Sequence, residues 1–230
     1  MEQEKVSTIL SLISSHDEVG NVRTFIFEKN GLEWVAGQSQ AYVLSQAGGT
    51  EKENQHWFTI SSAPVEGTIN ISTRVSSSLF KQALNSMNPG EEIRAHSLGG
   101  TFIWEEIDSA PVILIAAGIG ITPFRSILLQ RSATGKAINA SLLYFNRTNE
   151  IPFEKELQKL SQEHSDFQMK TVIGESVTAE KIFELAPEAA ERIIYLSGPA
   201  PMVSSIGSVL KERGATIKQD RFPGYDETNF

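Results

Sequence analysis

Hydrophobic and polar positions follow two different periods along this chain, and the change falls near residue 105. Before it, short β-like runs at Val6 to Ile13, Val22 to Phe27, Gln40 to Leu44, Trp57 to Ile60, Thr68 to Arg74 and Glu92 to His96 predict six strands. Turn residues punctuate them: Glu18-Val19-Gly20-Asn21, Lys29-Asn30-Gly31, Gly48-Gly49, Glu66-Gly67 and Asn88-Pro89-Gly90. Six such strands imply an antiparallel barrel or sandwich, of which a six-stranded barrel is the expectation. One helix is expected from Leu79 to Met87, where Leu79, Phe80, Ala83, Leu84 and Met87 share a face and the preceding serines supply caps.

After Asp108 the texture becomes apolar strands alternating with amphipathic helices, which predicts βαβ units and a five-stranded parallel sheet of Rossmann-like type. The strands are Val112–Ala117, Ala140–Phe145, Gln168–Val172, Arg192–Leu196 and Thr216–Gln219, and the helices Pro123–Ser132, Phe153–Gln162, Thr178–Ala186 and Ala200–Arg213. The segment Trp104–Ala110 therefore separates an N-terminal domain, 1–105, from a C-terminal one, 106–230.

Composition narrows the chemistry. The formal net charge is −8 and no dense Lys/Arg cluster interrupts it, so a nucleic-acid partner is not expected. With no cysteine the chain forms neither a disulfide nor a thiolate-held iron–sulfur cluster, and redox chemistry has to come from a bound cofactor. The start, Met1-Glu2-Gln3-Glu4-Lys5, is polar rather than a signal-peptide pattern, and the longest apolar run, Val112 to Ala117, is too short for a transmembrane segment; a cytoplasmic location is expected. His16, His56, His96 and His164 are scattered, so no metal site is expected, and Glu154, Glu156 and Glu163 read as a solvated helix face.

Three segments carry candidate chemistry. In Ile113 to Arg125 an apolar strand runs into Gly118-Ile119-Gly120-Ile121-Thr122-Pro123, where Gly118 and Gly120 let backbone approach a phosphate and Pro123 suits a first helical turn. Such turns also occur as plain structural corners, but this one follows the first strand of a βαβ series, where ligands are expected outside the strand ends. Tyr195-Leu196-Ser197-Gly198-Pro199-Ala200-Pro201-Met202 repeats the arrangement. In His56-Trp57-Phe58-Thr59-Ile60-Ser61-Ser62, alternation alone places Phe58 and Ile60 in the core and Thr59 and Ser61 toward solvent. The serines at 76–78 cap a helix whose open N-terminus also accepts phosphate, and Leu98-Gly99-Gly100-Thr101-Phe102 is a further close-approach turn.

Taken in order, these residues resemble the ferredoxin–NADP reductase superfamily of flavoprotein reductases over nearly the whole chain. Ala36-Gly37-Gln38 is similar to its PGQ turn, His56-Trp57-Phe58-Thr59 to its RxYS/T flavin motif and Gly100-Thr101-Phe102 to its GxF turn. Gly118 to Pro123 is similar to GxGxTP, Tyr144-Phe145-Asn146-Arg147 to YxxR, Ser197-Gly198-Pro199 with Met202 to CGPxxM, and Phe222-Pro223-Gly224-Tyr225 to a C-terminal aromatic segment of some members.

The resemblance implies FAD on the N-terminal domain, within the segment from His56 and Trp57 through Ile60 and Ser61, with Phe58 against the flavin and the Thr59 hydroxyl near its reactive nitrogen. It implies Ser77, Ser78 and Arg74 at the pyrophosphate, with Gly100 and Thr101 in a supporting turn. NAD(P)H is implied across Gly118, Gly120, Thr122 and Pro123, with Arg147 toward its ribose or adenosine half and Ser197, Gly198, Pro199 and Met202 near the nicotinamide; Tyr225, with Phe230 as the alternative, is the C-terminal aromatic implied over the flavin. Three motif positions differ: Ala36 stands for the proline of PGQ, His56 for the arginine and Ser197 for the cysteine. Electrons would pass to a separate acceptor protein, such as a ferredoxin, a flavodoxin or an oxygenase component. The alternatives are direct reduction of a small molecule (free flavin, ferric chelate or quinone) and a non-catalytic nucleotide-binding module.

Overall fold

In the N-terminal half of the computed structural model, which describes residues 7–44, 54–105 and 110–222, six strands form: β1 (Thr8–Val19), β2 (Val22–Glu28), β3 (Ser39–Val43), β4 (Gln55–Thr59), β5 (Thr68–Arg74) and β6 (Glu92–Gly99). They pair antiparallel in one sheet of order β4-β3-β6-β1-β2-β5. The two edges touch at the single bridge Ile60–Ile71, next to which the Ser61 N–H donates to the Asn70 carbonyl at 2.9 Å. The sheet thus curls toward a barrel without a full ladder to close it. Strand β1 runs six residues beyond Ile13, where apolar alternation stops, because Leu12 to Val19 pair with β2 while Thr8 to Ser11 pair with β6.

Helix α1 (Leu79–Ser86) follows β5 and buries Phe80 and Leu84 against a core that includes Leu10, Phe25, Phe27, Tyr42, Phe58, Ile60 and Ile71. No serine side chain caps it: Ser78 at the N-cap makes no such bond, and the Ser76 hydroxyl only accepts from the Ser78 N–H at 3.4 Å.

The C-terminal half holds β7 (Val112–Ala117), α2 (Thr122–Ala133), β8 (Ala140–Asn146), α3 (Glu154–Glu163), β9 (Phe167–Ile173), α4 (Ala179–Leu185), β10 (Ile193–Pro199), α5 (Ala200–Glu212) and β11 (Thr216–Phe222). All sheet pairs are parallel, in the order β11-β10-β7-β8-β9. The chain moves outward from β7 through β8 to β9, then returns to lay β10 on the other side of β7. That reversal makes the β7/β10 carboxyl ends a topological switch point, where such sheets hold ligands. The chain forms two compact units, Met1–Ile103 and Trp104–Phe230.

Helix α2 is not amphipathic at its start, since Thr122 through Leu128 are all buried. Arg125 is tolerated there because its Nε and Nη2 donate to the two Glu156 carboxylate oxygens at 2.7 and 3.0 Å, and its cation lies 5.1 Å from the Phe153 ring centre. Glu156 is therefore a partner of a buried arginine rather than part of a solvated face. The Gly48-Gly49 turn lies outside the described residues.

Candidate functional site

At the switch point two turns are built against each other. Strand β7 ends in a single 3-10 turn, Gly118–Ile121, which leads directly into α2 with Pro123 in its first turn. Gly118 has φ +52°, in the left-handed region that glycine enters without strain. Gly120 has a second reason to be glycine. A Cβ there would lie 2.5 Å from the Ser197 carbonyl oxygen and 2.8 Å from the Gly198 Cα, so the missing side chain also admits neighbouring backbone. Ser197 pairs with Ala116 across the β10–β7 ladder, which fixes this approach.

The turn is held from below by Tyr144 on β8, whose fully buried hydroxyl is 3.1 Å from the Gly118 carbonyl and 3.2 Å from that of Pro152. The Thr122 hydroxyl donates back to the Ile119 carbonyl at 3.1 Å. These bonds satisfy turn carbonyls, and no acidic residue stands in the first turn of α2. The end that faces out of the sheet is thus a helix N-terminus suited to an anion.

Two buried polar groups on the same sheet face have nothing to bind. Ser197 is fully buried and its Oγ has no hydrogen-bond partner; Asn146, last on β8 and 4% exposed, has none for either amide atom. Buried unpaired groups of this kind cost about 1–3 kcal/mol each, and both stand at the carboxyl ends of strands flanking β7. Their chemistry, a hydroxyl and an amide that both donate and accept, fits ribose, amide and phosphate groups of a nicotinamide dinucleotide. Arg147 follows Asn146 and is exposed, while Gly198, Pro199 and Met202 are buried against the glycine turn or in the core below. Asn146 escaped sequence reading because its position in YxxR carries no residue type; the amide becomes conspicuous only once its burial is known.

In the N-terminal unit, β4 divides its motif between two faces. His56 and Phe58 face inward: the His56 ring lies 4.5 Å from that of Phe80, and Phe58, 8% exposed, packs 5.7 Å from Phe80 and 6.2 Å from Tyr42. Burial, with the Lys81 ammonium adding to it, holds His56 below the usual imidazole range. It is thereby favoured neutral, unlike the arginine of the motif. Trp57 faces outward and is 47% exposed. Thr59 and Ser61, expected toward solvent, are both buried, at 4% and 1%. Ser61 is engaged in a hydroxyl chain, 2.7 Å from Ser72 Oγ, which is in turn 2.7 Å from Thr24 Oγ1. Outward-facing residues of a strand are here covered, which alternation cannot reveal.

Beyond β5, Arg74 is half-buried and donates to Asn21 Oδ1 at 2.8 Å, while Ser77 is exposed beside the uncapped α1. No acidic residue occupies the first turn of α1, where Lys81 lies instead. Gly100 (φ +101°) and Thr101 form an exposed turn, with Ser39 beneath the glycine. An exposed hydroxyl, a helix N-terminus without a side-chain cap and a cation suit phosphate, and an exposed indole suits a planar ring, so the unit fits a flavin nucleotide. Tyr225 and Phe230 lie outside the described residues. Among the described residues no cluster of three metal-ligating side chains occurs, and no helix is long and apolar enough to cross a membrane.

Comparison with known proteins agrees with this geometry. Residues 114–207 match the family model of the oxidoreductase NAD-binding domain. The chain is 29% identical over 195 residues to ferredoxin–NADP reductase B of Sorangium cellulosum, covering 80% of this chain and 75% of that one. It is 26% identical over 198 residues to a flavohemoprotein of Candida albicans, covering 77% of this chain and 48% of the other. The chain spans about half the length of this and several other curated relatives. The crystal structure of the Amycolatopsis cytochrome P450 reductase GcoB shares the fold, with a TM-score of 0.79 at 18% identity over 95% of this chain and 71% of that one.

Proposed function

Because the chain belongs to the ferredoxin–NADP reductase superfamily, we propose that it is an NAD(P)H-dependent reductase that takes hydride onto bound FAD and passes electrons to a separate acceptor protein. The acceptor is a ferredoxin, a flavodoxin or an oxygenase component. The observation that carries this reading is the β7/β10 switch point, where two interlocked glycine turns stand beside the unpaired Ser197 hydroxyl and Asn146 amide. A bound flavin supplies the interconversion between a two-electron hydride donor and one-electron acceptors. The protein's share is positioning.

In the C-terminal unit the α2 N-terminus, from Gly118 and Gly120 to Thr122 and Pro123, holds the dinucleotide pyrophosphate. Ser197, Gly198, Pro199 and Met202 position the nicotinamide, and Arg147 with Asn146 engages the adenosine side. In the N-terminal unit Thr59 on β4 orients the flavin ring, and Ser77, Ser78 and Arg74 with the N-terminus of α1 take its phosphates, Lys81 supplying the cation that His56 lacks. The chain has no cysteine, so a thiolate-held iron–sulfur centre receiving these electrons lies outside these 230 residues. Glu175, which would repel the extra phosphate of NADP, is paired with Lys181 at 2.9 Å. Its charge is offset, which leaves Arg147 as the group that decides between the coenzymes.

The test is to identify the flavin released from the purified protein and then compare turnover with NADH and NADPH, using a one-electron acceptor protein and a small quinone. FAD, with faster one-electron transfer to the protein acceptor, supports the proposal. A protein that binds no flavin, or that oxidises neither coenzyme, contradicts it.

A further inference from the structure

A line of buried hydroxyls crosses the N-terminal sheet from an exposed histidine to the end of β4. Thr24 on β2 stands opposite His16 on β1 and Ser72 on β5, and Ser61, just past β4, joins the row through Ser72. Thr24, Ser72 and Ser61 are 3%, 5% and 1% exposed. Their neighbours along the chain, Phe25, Ile71 and Ile60, belong to the core. Apolar side chains of similar size would pack such positions as well as hydroxyls that each need a partner.

Each hydroxyl carries a single proton, and that fixes the direction of the line. The Thr24 hydroxyl donates to Glu18 Oε1 at 2.7 Å. With its proton committed there, Ser72 donates to Thr24 across their 2.7 Å contact, and Ser61 donates to Ser72 across another of 2.7 Å. The Asn70 carbonyl, 3.1 Å from Ser61 Oγ, is a longer second acceptor. All three O–H groups thus point toward one carboxylate. Glu18 Oε1 in turn lies 2.8 Å from His16 Nε2, and the His16 side chain is 52% exposed. The inner end, Ser61, stands two residues beyond Thr59, about 7 Å along extended chain, a gap that a bridging water spans.

Hydride transfer followed by one-electron transfer leaves a proton behind. Oxidation of one NAD(P)H by two one-electron acceptors gives NAD(P)+, two reduced acceptors and one H+, so every turnover has to deliver a proton from the flavin site to solvent. On the reading given under Proposed function, we infer that Ser61, Ser72, Thr24 and Glu18 form the proton exit of the flavin site, with His16 at its mouth. In one passage Ser61 Oγ accepts the departing proton and gives its own to Ser72, Ser72 gives its own to Thr24, and Thr24 gives its own to the Glu18 carboxylate, from which His16 or water takes it. Each hydroxyl gains one O–H bond and loses one, no electron moves along the line, and rotation of the hydroxyls resets it.

The experiment reduces the FAD-loaded full chain with NAD(P)H and mixes it with ferricyanide in weak buffer containing a pH-indicator dye. Acceptor reduction and proton release are followed together, in ordinary and in heavy water. The variants are Thr24→Val, Thr24→Ser, Ser72→Ala and Glu18→Gln, each with its unfolding temperature and FAD affinity recorded. In the wild type, proton release keeps step with acceptor reduction. In Thr24→Val, Ser72→Ala and Glu18→Gln it is expected to slow by roughly tenfold or more, with a larger solvent isotope effect, while flavin reduction by NAD(P)H keeps its rate; Thr24→Ser restores the wild-type course. In the flavin-free protein the hydroxyl protons of Thr24, Ser72 and Ser61, read by NMR, should shift together in Glu18→Gln. Proton release that keeps step in Thr24→Val and Ser72→Ala, or a Glu18→Gln shift confined to Thr24, overturns the inference. Ser72→Ala carries the kinetic test should Thr24→Val not fold. A wild-type chain that binds no FAD, or oxidises neither coenzyme, defeats the flavoprotein reading instead.

Discussion

The β7–α2 turn and strand β4 both carry recognition motifs, yet they encode them differently. In the turn, each motif residue has a backbone reason to be there: Gly118 takes a positive φ, Pro123 sits in the first helical turn, and Gly120 clears the way for the Ser197 carbonyl. On β4 the motif is a string of side chains whose meaning depends on which face each one takes. His56 and Phe58 turn into the core and Trp57 turns out. A turn motif specifies geometry by itself, whereas a strand motif specifies only an alternation and leaves its sign to the rest of the fold.

The comparison breaks most readily at Phe58. Phe58→Ala removes a core ring that touches Phe80 and Tyr42, and is expected to cost about 3–5 kcal/mol in chemical denaturation. A cost under about 1 kcal/mol would mean that the ring is not part of the core. Next comes Gly120→Ala, which drives a methyl into backbone at 2.5 Å that has no flexible end to move; about 1–3 kcal/mol of stability and most coenzyme affinity should be lost together. Loss of affinity with stability intact would restore the simpler view that this glycine merely clears space for phosphate.

Ser197→Ala sharpens the contrast with the opposite sign. The hydroxyl has no partner to lose, so unfolding should be unchanged or shifted up by about 1 kcal/mol while hydride transfer slows. Destabilisation would show that Ser197 serves the fold rather than the ligand. The smallest effect belongs to His56. Burial and Lys81 lower its proton affinity in the folded state, so the unfolded chain takes up the proton first as pH falls. The stability His56 contributes is present above the ordinary imidazole value of about 6.5 and is lost as pH drops through the lower folded value. A melting temperature followed from neutral to mildly acidic pH should fall less steeply in His56→Gln; parallel curves would remove His56 from the account.

Most of the element map was legible in the sequence because local patterns suffice for it. Strand β5 spans Thr68–Arg74 and β7 spans Val112–Ala117, the same bounds that apolar runs and flanking turns predict. What was not legible depends on contacts between distant segments. Nothing near Glu156 announces that Arg125, on another helix, needs its carboxylate. Nothing near Tyr144 announces that its hydroxyl supports the Gly118 turn. The burial of Thr59 and Ser61 likewise follows from what covers the sheet, not from the alternation within β4.

The central claim is that these two regions serve one hydride transfer. It is tested most directly by adding one equivalent of NADH or NADPH anaerobically to the purified protein and following the flavin absorbance. The account predicts rapid bleaching with a stoichiometry near one coenzyme per flavin, and slower bleaching in Ser197→Ala. A flavin that binds but stays oxidised with both coenzymes would contradict it.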